Sequence, residues 1–170
     1  NALACADRVF SVIEAEPEKP DDADAKELTD ARGVVELNDV SFSYVPEKKL
    51  IENLNLSVKP GQRIAIVGPT GCGKTTLINL IMRFYDVNSG EIMMDDENIK
   101  DYTRQAYREN FGMVLQETWL RKGSIRHNVT LGQNFSDEGV IEACKKCHAL
   151  SFIMRMPNGY DTEITEDGGN

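Results

Sequence analysis

A glycine-rich stretch of eight residues has the residue types and the spacing needed to bind phosphate. It fits the pattern G-x-x-x-x-G-K-[ST] and consists of Gly68, Pro69, Thr70, Gly71, Cys72, Gly73, Lys74 and Thr75. Glycines allow the backbone to bend so that successive N–H groups face one anion. Lys74 supplies a mobile charge for the β- and γ-phosphates, and Thr75 offers a hydroxyl to Mg²⁺. The stretch therefore predicts a site for a nucleoside triphosphate and Mg²⁺.

The segments on both sides of this loop would position it. Residues 64–67 form a short apolar run that predicts a buried parallel strand, and residues 76–85 switch to helical spacing. A helix that begins at the loop adds free N–H groups and the positive end of its dipole, and we include Thr76 among the nucleotide contacts. The alternative is a glycine-rich turn whose lysine is only solvated. Kinases, GTPases, motor ATPases and transport ATPases share such a loop, so the rest of the chain has to distinguish them.

The composition is typical of a globular protein and argues against two classes. The chain has 170 residues, of which 41% are hydrophobic and 28% charged. The net charge of −9 disfavours nucleic acid as a partner. No apolar run approaches the roughly 18 residues needed to cross a bilayer, and no signal peptide is recognisable. We therefore expect any membrane-spanning part to lie outside this sequence.

The order of patterns predicts three regions. Residues 1–13 have helical spacing, and residues 14–32 contain eight acidic and three basic residues with two prolines, which is typical of a linker. Residues 33–170 have the strand and helix patterns of a folded domain. Strands are predicted at 35–44, with a slip near Val40, and at 54–58, 91–94 and 111–115, and a helix at 136–147.

Five further segments extend the pattern beyond the phosphate loop. They lie at 40–44, 83–92, 111–118, 123–129 and 162–168. In this order they resemble an aromatic A-loop, the exit from the phosphate-loop helix, a Q-loop, the start of a helical subdomain and an x-loop. Together they are similar to the nucleotide-binding domain of an ABC transporter, specifically of an exporter whose ATPase is fused to a membrane domain. The resemblance covers nearly the whole chain.

The resemblance implies roles for individual residues. Tyr44 would stack on adenine, and residues 68–76 would hold the phosphates of ATP. Lys74 and Gln116 would act in catalysis, and Thr75 and Gln116 would contact Mg²⁺. Taken alone, Tyr44 is equally compatible with a half-buried strand residue, and Gln116 with a solvated amide at a strand end.

The resemblance also implies a fold and partners. We expect an α/β P-loop NTPase core with an antiparallel β-subdomain and the start of a helical subdomain. Residues 1–13 and 14–32 would connect it to the membrane domain. The segments 116–128 and 162–168 would face the coupling helices of that domain, on the cytoplasmic side of the membrane. A second nucleotide-binding domain would complete a homodimer or a heterodimer.

The implied function is ATP binding and hydrolysis that drive export. In the family, the signature motif, the Walker B acids and the switch histidine would follow after Asn170. We therefore expect these 170 residues alone to be marginally stable, to bind ATP weakly and not to turn it over. The runner-up is an ABC ATPase that is not fused to a membrane domain, of the importer or a non-transport type.

Other residues suggest alternatives of a different class. Cys144, Cys147 and His148 form C-x-x-C-H, the attachment pattern of c-type haem, and a lone C-x-x-C could bind zinc. Their position in an amphipathic helix, with both thiols on its apolar face, favours simple packing. Cys72 lies close to Lys74 and a helix start. It is either a small residue that the loop tolerates, which we favour, or a reactive thiol that is alkylated faster than the others and is protected by nucleotide. Trp119 is either an anchor for a partner or a packing residue.

Overall fold

The structure, a computed structural model, describes residues 2–115 and 119–165. The chain divides into two units, the first ending at Gly112 and the second beginning at Met113. The first unit contains α1 (Ala2–Ile13), β1 (Val35–Phe42), β2 (Ile51–Val58), α2 (Lys74–Ile81), β3 (Ser89–Met94), β4 (Glu97–Asn98) and α3 (Arg104–Arg108). The second contains β5 (Gly123–Ser124), α4 (Ile125–Thr130), α5 (Asp137–Lys146), α6 (Leu150–Ile153) and β6 (Glu163–Ile164).

An antiparallel sheet is the centre of the first unit. Its strand order is β2-β1-β3-β4, and Leu37 in β1 lies opposite both Leu56 and Ile92. The pairing of β1 shifts between Leu37 and Val40, where the sequence predicted a slip. The antiparallel β-subdomain expected from the sequence is therefore present, and the mixed α/β class is confirmed.

The core of the first unit joins this sheet to α2 and the segment that follows it. Eleven buried residues form the cluster: Leu28, Leu37, Val40, Phe42, Leu77, Leu80, Ile92, Met94, Ile99, Tyr102 and Tyr107. The Tyr107 hydroxyl donates a hydrogen bond to the Ile81 carbonyl at 2.5 Å, and burial raises the pKa of Tyr107. This bond fixes the carboxyl end of α2 within the core.

The second unit has its own small core. Ile125, Val140, Cys144 and Ile153 are buried together, between α4, α5 and α6. The side chains of Ser124 and Ser136 cap α4 and α5 by accepting bonds from the N–H groups of His127 and Gly139. The helix predicted at 136–147 is confirmed, with Ser136 as its cap.

Two predicted strands are absent from the described residues. Residues 64–67 and 111–115 have no strand pairing, and the side chains of Val67 and Val114 are 87% and 92% exposed. A strand exists only when a neighbour accepts and donates its ladder hydrogen bonds, and these runs have no such neighbour within the described part of the chain. The expectation of buried strands was therefore wrong for this structure, although both runs are apolar.

The predicted helix after the phosphate loop is also shorter than its pattern. It begins at Lys74 and ends at Ile81, because Arg83 has a left-handed backbone with φ of 54°. Phe84, which lies within the range predicted as helical, is consequently outside the helix and half exposed.

The acidic segment, residues 14–32, has no helix but is held at several points. Asp21 accepts hydrogen bonds from the backbone N–H and side chain of Arg104 at 2.9 and 2.6 Å. Glu18 accepts from Arg108 at 2.8 Å, and Leu28 joins the core. The sequence predicts that this segment is a linker. In the structure, these contacts attach it to α3 and to the core.

Candidate functional site

The phosphate loop has a backbone that only glycine adopts easily. Gly71 and Gly73 have φ of 82° and 93°, in the left-handed region. A Cβ atom at Gly68 would lie 2.6 Å from the Cys72 sulfur, so the loop folds closely upon itself at this point. Side chains at these three positions would strain or fill the loop.

The N-terminus of α2 has no side-chain cap, unlike those of α3, α4 and α5. Thr103, Ser124 and Ser136 each accept a backbone N–H bond at the start of α3, α4 and α5, respectively. Gly73 occupies the same position in α2 and makes no side-chain hydrogen bond there. The first-turn N–H groups of α2 thus remain available to an anion, which the positive end of the helix dipole also favours.

The Lys74 ammonium lies within the loop that precedes it. Its Nζ donates hydrogen bonds to the carbonyls of Gly68 and Pro69, both at 2.8 Å, and to the Cys72 sulfur at 3.8 Å. Sulfur is a weak acceptor, so one of the three donors of Lys74 is poorly used. The lysine is therefore held at the loop with a donor ready for a better acceptor.

A cavity of about 280 Å³ adjoins this lysine. Cys72, Gly73, Lys74, Ile66 and Leu77 are among its lining residues. The hydroxyl-bearing Thr75 is exposed, whereas Thr76 is buried. The structure thus brings together the charged, hydroxyl and glycine residues predicted from the loop sequence.

The segment directly after β1 is joined to α2 by a hydrogen bond. The Tyr44 hydroxyl lies 3.2 Å from Thr76 Oγ1. The Tyr44 ring is 53% exposed and meets the rings of Phe42 and Tyr85 at 5.0 and 5.2 Å, in edge-to-face geometry. The exposed part of the Tyr44 ring is therefore accessible to a planar base, while the Tyr44 hydroxyl keeps its hydrogen bond to Thr76 in α2.

The two segments expected to face a membrane domain meet in the second unit. Strand β5 pairs with β6, with Gly123 opposite Ile164, and the Ile125 N–H donates to the Thr162 carbonyl at 3.0 Å. Gln116, the predicted Mg²⁺ contact, lies outside the described residues, as does the end of the 162–168 segment. The described parts of the two segments are therefore joined by a strand pairing and a backbone hydrogen bond.

The cysteines are arranged differently from the sequence expectation. Cys144 is buried in the core of the second unit, whereas Cys147 is exposed at the end of α5, so the two thiols do not share an apolar face. Helix α5 ends before Cys147, whose thiol donates a hydrogen bond to the Cys144 carbonyl at 3.5 Å. Among residues 2–115 and 119–165, no three His, Cys, Asp or Glu side chains form a metal-binding cluster.

Trp119 is 69% exposed and lies with its ring 5.8 Å from the Arg121 guanidinium. The packing alternative therefore has no support within the second unit. No helix in the described ranges combines the length and apolar character needed to cross a membrane.

Comparison with known proteins identifies the family. The sequence model described as "ABC transporter" matches residues 51–167, which is more than half of the chain. The chain belongs to the ABC transporter family. The predicted family, drawn from the A-loop, phosphate-loop and x-loop segments, is confirmed.

Individual relatives of this ABC transporter chain are considerably longer. It is 42% identical over 171 aligned residues to a fatty acid ABC transporter ATP-binding/permease protein of Mycobacterium bovis, covering 100% of this chain and 27% of the relative. It is 43% identical to an ATP-dependent lipid A-core flippase of Desulfotalea psychrophila over 167 residues, covering 98% and 29%. The chain thus spans less than a third of these relatives.

A solved structure supports the same assignment. A bacterial Atm1-family ABC exporter with ATP bound matches this structure with a TM-score of 0.80 and 35% identity, covering 98% of this chain and 30% of that one. The fold class and the resemblance to exporters are therefore both confirmed.

Two features of the site escaped the sequence analysis. Tyr85 contacts the Tyr44 ring although 41 positions separate them in the sequence, and Thr76 bonds the Tyr44 hydroxyl. The segment 83–92 was noticed only as the exit from the helix. The only signal in the sequence is that Tyr85 is an aromatic residue at the end of a predicted helix. Its contact with Tyr44 cannot be inferred from the spacing.

Proposed function

We propose that this chain is the ATP-binding portion of an ABC exporter, in which ATP binding and hydrolysis drive transport across a membrane. The observation that carries the proposal is the uncapped start of α2 behind a loop in which Lys74 is held at 2.8 Å from two backbone carbonyls. This arrangement suits a polyphosphate, because it combines free N–H donors, a helix dipole and a mobile cation. Tyr44, attached to the same helix, gives the base a surface on which to stack.

Bound phosphate would replace the weakest hydrogen bond of Lys74, the one to Cys72. A phosphate oxygen is a far better acceptor than the Cys72 sulfur at 3.8 Å, so it would take over that donor while the two carbonyl bonds remain. Lys74 is therefore the residue that links the loop to the β- and γ-phosphates. Its loss would remove charge and leave the loop carbonyls without their donor.

Mg²⁺ fits the donor set of the loop. Thr75 provides an exposed hydroxyl oxygen, the hard type of ligand that Mg²⁺ prefers, and we assign Thr75 and Gln116 to the ion. When bound, Mg²⁺ would neutralise charge on the phosphates. Gln116 would also orient the attacking water through its amide.

The partners follow from the relatives. Relatives named ATP-binding/permease proteins and flippases suggest a membrane domain in the same polypeptide, which disfavours an unfused ATPase. We place the contact with that domain on the surface formed by β5 and β6. A second nucleotide-binding domain would complete the transporter, on the cytoplasmic face of the membrane.

Calorimetric titration of the 170-residue chain with Mg-ATP tests the proposal. We expect binding that Lys74→Ala weakens at least tenfold, because a charge-assisted contact to phosphate is lost. Lys59→Ala removes the same charge from an exposed site outside the loop and should leave the affinity unchanged. We also expect no ATP hydrolysis by these 170 residues alone, because the family resemblance places the acids of the hydrolytic site after Asn170.

Two results would contradict the proposal. A folded chain, verified by circular dichroism, that fails to bind Mg-ATP would show that the loop is not a nucleotide site in this polypeptide. Equal losses for Lys74→Ala and Lys59→Ala would show that the binding depends on net charge and not on the loop.

A further inference from the structure

Three aromatic rings form a cluster at the end of β1. Phe42, Tyr44 and Tyr85 lie with ring centroids 5.0 to 5.8 Å apart, and Tyr44 contacts both others at nearly perpendicular angles. Phe42 is buried in the core, so it gives the cluster a fixed base. Tyr44 and Tyr85 are 53% and 46% exposed, so the cluster extends from the core to solvent.

Tyr85 differs from the other tyrosines near α2. Tyr102 and Tyr107 are buried and donate hydrogen bonds to the carbonyls of Met94 and Ile81. Tyr85 instead leaves half its surface in solvent and packs its ring against Tyr44. An exposed ring adds little to the core, whereas an edge-to-face contact restricts the orientation of its neighbour.

The segment that bears Tyr85 is itself firmly held. The Arg83 guanidinium is buried and donates to the carbonyls of Ile99 and Tyr102 at 3.0 and 2.6 Å. The Arg83 carbonyl accepts from Arg108 at 2.6 Å. Tyr85 therefore projects from a rigid part of the backbone, which suits a residue that fixes another.

Tyr44 is restrained at two places by these contacts. Its hydroxyl lies 3.2 Å from Thr76 on α2, and its ring meets those of Tyr85 and Phe42 at nearly perpendicular angles. A ring restrained in this way stands at a constant position relative to the phosphate loop, which leads directly into α2. A nucleotide then loses less freedom when its base stacks, because the stacking surface is already in place.

We propose that Tyr85 is a positioning residue for the adenine moiety: it fixes the Tyr44 ring so that base and phosphates are bound together. The proposal rests on the proposed function, since it assumes that ATP binds with its base on Tyr44. It predicts a specific defect. Loss of Tyr85 should weaken binding of the adenosine part and leave phosphate binding unchanged.

The test compares Mg-ATP with Mg-tripolyphosphate, which lacks the nucleoside, by calorimetry on the 170-residue chain. We expect Tyr85→Leu to weaken ATP binding about fivefold and tripolyphosphate binding less than twofold. Tyr85→Phe retains the ring and should bind ATP as the unaltered chain does. Phe84→Leu is the matched control, because Phe84 is adjacent and 45% exposed but packs against Arg108.

A double variant separates positioning from general packing. Tyr85→Leu should have no further effect on ATP affinity once Tyr44→Leu has removed the stacking ring. The proposal is overturned if Tyr85→Leu binds ATP normally, if it weakens both ligands equally, or if its effect persists in the Tyr44→Leu background.

The outcomes for the unaltered chain separate the two proposals. If it binds neither ligand, the proposed function fails and the role of Tyr85 fails with it. If it binds both ligands with equal affinity, the phosphate site stands, but the base contact at Tyr44 and the role of Tyr85 are both overturned.

Discussion

At the scale of single residues, Cys72 reports directly on the phosphate loop. Its sulfur is exposed and 3.8 Å from Lys74 Nζ, so a phosphate at Lys74 would cover it. We predict that saturating Mg-ATP slows alkylation of Cys72 by iodoacetamide at least fivefold, as measured by mass spectrometry. Cys147 is exposed directly after α5 and serves as the internal control, with an unchanged rate. Equal rates at Cys72 with and without nucleotide would contradict binding at the loop.

At Gly90 the backbone of β1 leaves no space for a side chain. Its φ is 78°, and a Cβ atom there would lie 2.4 Å from the carbonyl oxygens of Asn38 and Asp39. We predict that Gly90→Ala destabilises the protein by roughly 2 to 4 kcal/mol, because the sheet must shift where β1 bulges. Urea unfolding measures the change.

Gly33 provides the matched control for this prediction. Its φ is 83°, but a Cβ atom there would contact nothing within 4 Å. Gly33→Ala should therefore cost only the backbone strain, about 1 kcal/mol. If the two variants lose similar amounts of stability, then the positive φ alone, and not the close approach to β1, explains why Gly90 does not tolerate a side chain.

At the scale of elements, the acidic segment should contribute to stability through Asp21. Asp21 is held by two bonds from Arg104, and its neighbour Asp22 is exposed. We predict that Asp21→Asn lowers the free energy of unfolding by about 1 kcal/mol at low salt, and Asp22→Asn by less than half of that. Urea titrations at low and high salt measure both variants. If Asp21→Asn and Asp22→Asn lower the free energy of unfolding equally, the segment affects stability only through its net charge and not through the Asp21 contacts.

The same contacts predict a pH dependence. Burial by itself would raise the pKa of Asp21, but the hydrogen bond and charge of Arg104 outweigh it and lower that pKa below its ordinary 3.8. The Arg108 hydrogen bond lowers the pKa of Glu18 below 4.5. Both carboxylates therefore stabilise the fold fully above these ordinary values, and their contribution disappears as the pH falls through the lower folded values. The free energy of unfolding should therefore be lower at pH 3 than at pH 7, and this decrease should be smaller in Asp21→Asn than in the unaltered protein.

Local patterns predicted some elements better than others. Helix α5 was found because a serine cap and a period of 3.6 are signals within one segment. The runs at 64–67 and 111–115 have strand composition, but strand formation depends on partners elsewhere. The attachment of the acidic segment was missed for a related reason. Glu18 and Arg108 are 90 positions apart, so only the folded chain brings them together.

The candidate site shows the same division. The loop residues 68–75 were predicted because their chemistry lies in one short pattern. The Tyr44–Thr76 bond and the Tyr44–Tyr85 contact join residues 32 and 41 positions apart, and no periodicity indicates them. The sequence therefore predicts which groups bind phosphate, and the fold determines how the aromatic surface is held beside them.

At the scale of the whole molecule, the net charge belongs mostly to the acidic segment. Eight of the 28 acidic residues and three of the 19 basic residues lie within residues 14–32, and two of these acids, Glu18 and Asp21, are paired with Arg104 and Arg108. The segment thus carries −5 of the net charge of −9, so the total says little about the surface that meets ligands. The acidic composition and a site for a polyanion are compatible for this reason.

The two units have separate cores, and this predicts how the chain opens. Ile92 is buried at 2% exposure in the first cluster and Ile153 at 4% in the second, and the clusters share no residue. Truncating either side chain leaves a cavity that costs about 2 to 4 kcal/mol. Because distant sites without shared partners behave independently, each loss should remain in its own unit. Hydrogen exchange followed by mass spectrometry should show Ile153→Ala reducing protection in α4 and α5 alone, and Ile92→Ala reducing it in β1 and β3 alone. If either variant lowers protection equally in both units, the chain opens as one cooperative body and the division at Gly112 has no energetic meaning.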